Sequence, residues 1–257
     1  MDDTIQKKAI IIGAGVAGLS LAVRLQSKGI EVSVFEANSY PGGKLTELSK
    51  KGYRFDMGPS LFTMPQFVEE LFSISNKNST DYFSYKKKET VCHYFYKDGT
   101  FFKASSDTDT FSSDAANIFD VKKNTIDDYF KKSKKKYELT SSLFLEKSLH
   151  KISTYLSKDT LKAIFNVRNL DINISLHEYN TSNFDDPKLI QLFDRFATYN
   201  GSSPYLTPGI MSMIPHLEQY YGTFFPKGGM HSITESIYKL AQDLGVHFYF
   251  NSTVNRI

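Results

Sequence analysis

Ile10, Ile11 and Ile12 follow one another without an intervening polar residue, the pattern of a strand buried on both faces. From Val16 the apolar residues Val16, Leu19, Ala22, Val23 and Leu25 fall on one helical face, and Gly29 stands where a C-terminal cap belongs. Glu31 to Glu36 then reads as a second strand. Strand, glycine turn, helix and strand in this order make a βαβ unit, which implies a right-handed crossover and a parallel sheet.

Pro41 to Lys44 interrupts the pattern, and Thr63 with Gln66 predicts a capping box opening a helix over Met64 to Phe72. Val91 to Phe102 reads as a hairpin turning at Asp98-Gly99, a dipeptide suited to a two-residue turn. Asp114 to Ile164 is lysine-rich and helical in pattern, the mark of a separate lobe. After the loop Asn200-Gly201-Ser202-Ser203-Pro204, a helix is expected over His231 to Leu244, stopped by Gly245, and a strand over Val246 to Phe250.

Composition narrows the class. With 257 residues, 40% apolar and 23% charged, the chain is that of a globular protein with one large domain or two ordinary ones. A net charge of +3 gives no electrostatic case for nucleic acid. Cys92 stands alone, so neither an internal disulfide nor a thiolate zinc cluster is expected, and no metal site is assigned. A reducing cytoplasm is the simplest setting. Met1 to Lys8 leads into a glycine turn rather than a cleavage site, so no signal peptide is expected. No apolar run approaches the ~20 residues that span a bilayer, which restricts membrane contact to the periphery.

The chemistry begins at Gly13-Ala14-Gly15-Val16-Ala17-Gly18. In this fingerprint Gly13 makes a tight turn, Gly15 lets the backbone approach a pyrophosphate, Gly18 lets helix and strand pack closely, and the helix N-terminus offers amides to the anion. Glu36, at the end of the next strand, is placed to accept hydrogen bonds from an adenosine ribose. Gly42-Gly43-Lys44 allows backbone and a cation to lie beside a diphosphate, which favours FAD over NAD. Asp56-Met57-Gly58-Pro59-Ser60 adds a rigid turn that presents its backbone towards a flavin.

Together with Pro41, these segments resemble the flavin amine oxidase and phytoene desaturase superfamily. Tyr199 to Tyr205, Pro208, His216, Glu218, Gly222, Phe225-Pro226 and Lys227-Gly228-Gly229-Met230 resemble its bacterial phytoene desaturase branch, which makes carotenoids. The middle of the chain, about 107–185, matches no motif. The resemblance implies an FAD enzyme that takes a hydride and a proton from a carotenoid precursor such as phytoene or a hydroxylated carotene. It also implies a hydrophobic polyene substrate, a quinone or oxygen as electron acceptor, and peripheral membrane association in the cytoplasm. The cofactor residues it carries over are Gly13, Gly15, Ala17, Gly18, Glu36, Gly42, Gly43, Lys44, Gly58, Pro59 and Ser60. Val254 falls where such flavoproteins bind adenine through backbone atoms. No Arg-Asp pair of the kind supposed for relatives stands in the middle region, so no catalytic residue is assigned.

The expected fold is α/β, a doubly wound parallel sheet of the FAD-binding Rossmann type with an inserted, partly helical substrate lobe. Residues 1–78 form the first FAD-binding segment, 79–224 the lobe, and 225–257 a truncated return. Family members continue further and close a glycine-rich segment over the flavin, so the chain reads as an N-terminal fragment. Two rivals stand beside desaturation: another flavin oxidase acting on an amine or a different isoprenoid, and an FAD-binding module without turnover. His216 and Glu218, on alternate positions, would point the same way in a strand, where a hydrogen-bonded structural role is favoured over a base. Arg195 and Tyr199 share a helical face. Lys131, Lys132, Lys134, Lys135 and Lys136, with Tyr129, Phe130 and Tyr137, read as a solvated helix face or as a lipid contact with the rings dipping in.

Overall fold

The computed structural model describes residues 7–141 and 170–257 and divides the chain into two compact units. The first begins with β1 (Lys8–Ile12), α1 (Val16–Gln26), β2 (Glu31–Phe35), β3 (Thr46–Lys50), β4 (Tyr53–Met57), α2 (Gln66–Ser73) and β5 (Tyr85–Lys87). The second, over 88–223, holds β6 (Thr90–Phe95), β7 (Phe101–Ser105), α3 (Thr108–Phe119), α4 (Lys123–Ser141), α5 (Leu176–Asn183) and α6 (Pro187–Asp194). The chain then returns to the first unit as β8 (Phe224–Pro226), α7 (His231–Asp243) and β9 (His247–Tyr249). Because β5 pairs with β8, the first unit runs to Lys87.

In the first unit β1, β2 and β9 form a parallel sheet in that order, so the returning segment adds a strand beside β2. Helices α1 and α7 cover one face, where Ile11, Leu19, Val23, Val32, Val34, Ile237 and Leu240 are buried together. Ile10 and Ile12, on the opposite face, are 71% and 51% exposed. The triple-isoleucine run therefore has one covered face among the described residues, not two, since alternation along a strand sends its odd and even side chains to opposite sides. The capping box is also corrected: α2 opens at Gln66 behind Pro65 with no side-chain cap, and Met64 sits at φ +57°.

The hairpin β3–β4 is inverted. Leu48, Tyr53, Phe55 and Met57 are exposed on one face, while Glu47, Arg54 and Asp56 occupy the other. Arg54 donates to both Glu47 and Asp56, so the polar face satisfies its own charges and leaves the apolar one outward.

The second unit is built on rings. Tyr129 packs on Phe193 at a centroid distance of 4.3 Å, and Phe193 stacks on Phe184 at 4.9 Å. The β6–β7 hairpin turns through Lys97-Asp98-Gly99 rather than two residues: the Gly99 amide donates to the Tyr96 carbonyl, and Gly99 takes φ +85°. A type I turn followed by one left-handed residue has this form. The α4 lysines do not act together. Tyr129, Phe130 and Tyr137 face the core and are at most 8% exposed, so they are not available to an interface. Lys136 is buried with them, ion-paired to Asp171 at 2.8 Å and donating to Ser212 Oγ at 2.6 Å. The remainder of the expected helical stretch, 142–164, lies outside the described residues.

Candidate functional site

The loop between β1 and α1 is fixed from both sides. The Gly13 amide donates to the Phe35 carbonyl at 2.7 Å with Gly13 at φ +94°, and the Ala14 amide donates to Glu36 Oε2 at 2.7 Å. A Cβ on Gly18 would lie 2.0 Å from the Gly13 carbonyl oxygen, whereas one on Gly15 would meet nothing closer than 4.0 Å. The two glycines thus answer different demands. Gly18 is required by the protein's own packing, and Gly15 leaves its space open on the outer side. Helix α1 begins at Gly15 with no side-chain cap and no acidic residue in its first turn, so its N-terminal dipole is available to an anion.

Three backbone segments meet beside this turn. The Gly42 amide donates to the Ala14 carbonyl at 2.9 Å, and Gly15 and Gly42 form an isolated parallel bridge. A Cβ on Gly43 would lie 3.4 Å from the Gly15 Cα, and one on Gly58 would fall 1.9 Å from the Lys44 carbonyl oxygen. Gly42, Gly43 and Gly58 hold φ of +137°, +57° and +130°, the left-handed half of the map. A cleft of about 460 Å³ opens here, lined by Gly15, Ala17, Gly42, Lys44 and Pro59 and floored by Leu61, Phe62, Met230 and Ile233. Its size is that of a small-molecule site. Gly13, Gly18, Gly43 and Gly58 shape the backbone around it, and Ser60 is exposed beyond Pro59.

Glu36 is 6% exposed. Besides Ala14, it accepts from the Asn38 amide at 2.8 Å and from Asn38 Nδ2 at 2.9 Å. Burial alone would raise its carboxyl, but the Asn38 and Ala14 hydrogen bonds more than offset this and hold it below the usual value of 4.5. The acid expected to meet a ribose is therefore already a support for the glycine turn. Its depressed folded pKa gives a sign: the stabilisation is complete above pH 4.5 and is lost as pH falls through the lower folded value. Glu36→Gln is expected to cost about 1.5–3 kcal/mol near pH 7, and the difference from the native chain narrows below pH 4.5. A deficit that persisted unchanged at pH 3 in urea titrations would show that the charge is not the cause. The segment after β9 runs beside the same acid, the Ser252 amide donating to the Glu36 carbonyl at 2.8 Å. Val254 follows, 37% exposed.

Sequence reasoning missed the braces. Asp56 Oδ1 accepts from the Met230 amide at 2.9 Å at the start of α7 and from Arg54 Nη2 at 2.7 Å. A Cβ on Gly229, at φ +95°, would lie 2.2 Å from the Arg54 guanidinium, which explains the glycine in Lys227-Gly228-Gly229-Met230. His231 Nδ1 lies 2.9 Å from the Leu45 carbonyl, and Thr234 Oγ1 donates to the same oxygen at 3.1 Å. These contacts tie the Gly42–Leu45 turn to α7. The only available signal was the polar spacing of Glu47, Arg54 and Asp56.

In the second unit Arg195 Nη2 donates to both carboxylate oxygens of Glu218, at 3.0 and 2.8 Å, and the Tyr199 hydroxyl donates to Glu218 Oε1 at 2.5 Å. Arg195 Nε donates to the Tyr94 hydroxyl at 2.7 Å. Burial opposes the Arg195 charge, but Glu218 and Tyr94 outweigh it and its pKa is raised further. Glu218 and His216 do not share a strand face: His216 ends a short α turn, and Glu218 lies in the π turn Leu217–Tyr221 that follows. His216 packs instead against the Tyr220 and Tyr137 rings, at 4.9 and 5.2 Å.

Comparison with known proteins places this geometry. The family described as flavin containing amine oxidoreductase matches residues 16–257. The chain is 57% identical over 251 residues to a 1-hydroxycarotenoid 3,4-desaturase of Flavobacterium sp. (strain P99-3), covering 98% of this chain and 51% of the relative. It is 32% identical over 260 residues to a 4,4'-diapolycopene oxygenase of Methylomonas sp, covering 100% of this chain and 51% of the relative. The chain thus spans about half the length of the curated relatives it matches. An oxidoreductase of Methanosarcina mazei shares the fold at a TM-score of 0.59 and 21% identity, over 95% of this chain and 51% of that one. A putrescine oxidase variant does so at 0.60 and 17%, over 97% and 51%. The turn alone would admit either dinucleotide, and the family decides for FAD. A βαβ half-site with a single-sided helical cover, matched from α1 to the last residue, therefore belongs to the flavin containing amine oxidoreductase family.

Proposed function

We propose that the protein carrying this chain is an FAD-dependent carotenoid desaturase. The observation that supports this best is the 57% identity to a 1-hydroxycarotenoid desaturase along 98% of the chain. FAD, when bound, accepts the hydride and so supplies the oxidising chemistry. The residues fit such a group, because Gly15 keeps an open cradle at an uncapped helix N-terminus. Gly13, Gly15, Ala17 and Gly18 hold the pyrophosphate there, Lys44 balances its charge, and Gly42 and Gly43 let the backbone pass close. Glu36 receives the ribose while continuing to brace Ala14. Gly58, Pro59 and Ser60 present backbone towards the flavin, and Val254 contacts adenine. Leu61, Phe62, Met230 and Ile233 give the cleft an apolar floor.

The substrate in this reading is a polyene dissolved in a membrane, with a quinone or oxygen taking the electrons in the cytoplasm. No described helix is long and apolar enough to cross a membrane. Contact with anionic lipid is assigned to the outward face of the β3–β4 hairpin, where Leu48, Tyr53, Phe55 and Met57 are exposed next to Lys50 and Lys51 and without an acid on that face. The test uses the complete gene product with FAD, a quinone and liposomes containing a carotenoid precursor. The expected result is a red shift of the polyene spectrum as conjugation extends, with the protein co-sedimenting with anionic vesicles. Flavin reduction by an amine, with the polyene unchanged, would replace this reading by that of an amine oxidase.

A further inference from the structure

A cavity of about 750 Å³ lies in the second unit between the β6 end of the hairpin and α6. Its walls are mostly carbon, from Tyr94, Phe95, Tyr96 and Leu192, with Arg195 and Lys188 among the polar lining residues. The half-buried cations of the lining are paired. Arg195 is paired with Glu218, and Lys188 with Asp98 at 2.6 Å. Lys97 and Gln191, which also line the cavity, are exposed to solvent; away from them the lining leaves no charge uncompensated and favours a neutral ligand.

In the half-buried part of the lining one O–H donor is left over. The Tyr94 oxygen accepts from Arg195 Nε at 2.7 Å, so its own proton points elsewhere, and the described residues offer that proton no acceptor. The neighbouring Tyr96 hydroxyl, by contrast, donates to the Lys188 carbonyl at 2.9 Å. Burial holds the Tyr94 phenol far above its ordinary pKa of 10, which keeps the proton in place, and the charged donor behind it strengthens the O–H as a donor. A mostly apolar pocket with one half-buried O–H donor is complementary to a long apolar molecule carrying one neutral oxygen near its end.

We infer that this pocket receives the oxygenated end of the polyene and that Tyr94 is the residue that selects for that oxygen. The inference rests on the polyene reading above. The test is binding to the FAD-loaded protein, followed by the polyene band shift, of two micelle-dispersed acyclic polyenes of equal length, one with a terminal hydroxyl and one its hydrocarbon counterpart. The expected result is roughly tenfold tighter binding of the hydroxylated polyene, the effect of one hydrogen bond whose loss strands a donor. Tyr94→Phe is expected to bring the two to equal affinity by weakening only the hydroxylated one. Equal binding by the native protein, or a preference that survives Tyr94→Phe, overturns the inference while leaving the polyene reading intact. Failure to bind either polyene overturns both.

Discussion

Replacing Gly15 by alanine is expected to leave the first unit folded and weaken its hold on flavin, whereas Gly18→Ala is expected to destabilise the fold itself. Gly15 sits at φ −71°, ψ 172°, a conformation open to any residue, and its Cβ would be 4.0 Å from the nearest atom. The cost to stability is therefore within about 1 kcal/mol. The added methyl instead occupies the space assigned to the pyrophosphate, a clash of about 1–3 kcal/mol, or roughly 5- to 150-fold in Kd. At Gly18 the methyl would fall 2.0 Å from the Gly13 carbonyl oxygen and 3.4 Å from the Ile11 side chain. Backbone cannot move aside without breaking the Gly13 to Phe35 hydrogen bond. A loss of about 3 kcal/mol is expected, some 6–12 °C in Tm for a chain of this size. Flavin absorbance after gel filtration and a thermal melt separate the two. Equal flavin retention in Gly15→Ala and the native protein would remove the phosphate role from Gly15. An unchanged melt for Gly18→Ala would remove the packing argument.

How far such a site can be read from sequence depends on how local its causes are. The turn at Gly13 to Gly18 was legible because each glycine answers to a backbone constraint within a few residues of itself, and the strand and helix on either side carry their own periodicity. The same holds for α7, which ends where Gly245 takes φ +91°. The hairpin turn was legible in place but not in length, since Lys97-Asp98-Gly99 and a two-residue turn share the same dipeptide. Glu36 was found as an acid at the right distance, yet its grip on Ala14 needs the folded loop to be seen. Arg54, Asp56 and Met230 stayed hidden for a plainer reason: 174 residues separate Asp56 from the amide it caps. The α4 lysines show the limit of composition. Five charges in six positions suggest one basic surface, but a helix turns 100° per residue, and Lys136 is carried inward to Asp171 while its neighbours stay out.

Arg195 and Tyr199 were recognisable as sharing a face, and Glu218 was noted separately; that they meet is a tertiary fact with a large energetic consequence. The Glu218 side chain is 2% exposed and that of Arg195 22%. Tyr94 on β6 and Tyr199 on the 3-10 turn after α6 complete a cluster that joins three distant segments of the second unit. Removing one partner strands the other in a poorly solvated place, which outweighs the modest net value of the pair itself. Arg195→Met is expected to cost about 3–5 kcal/mol and Glu218→Met a similar amount. The double variant should lose far less than their sum, because two apolar side chains of similar volume then fill the site, with only the two tyrosine hydroxyls left to find new partners. Urea unfolding of the four proteins closes the cycle, and a coupling of about 1.5–3 kcal/mol is expected. Additive losses would mean that Arg195 and Glu218 are held independently, Arg195 through Tyr94 and Glu218 through Tyr199. In that case the charge balance that makes the neighbouring pocket favour a neutral ligand would no longer hold.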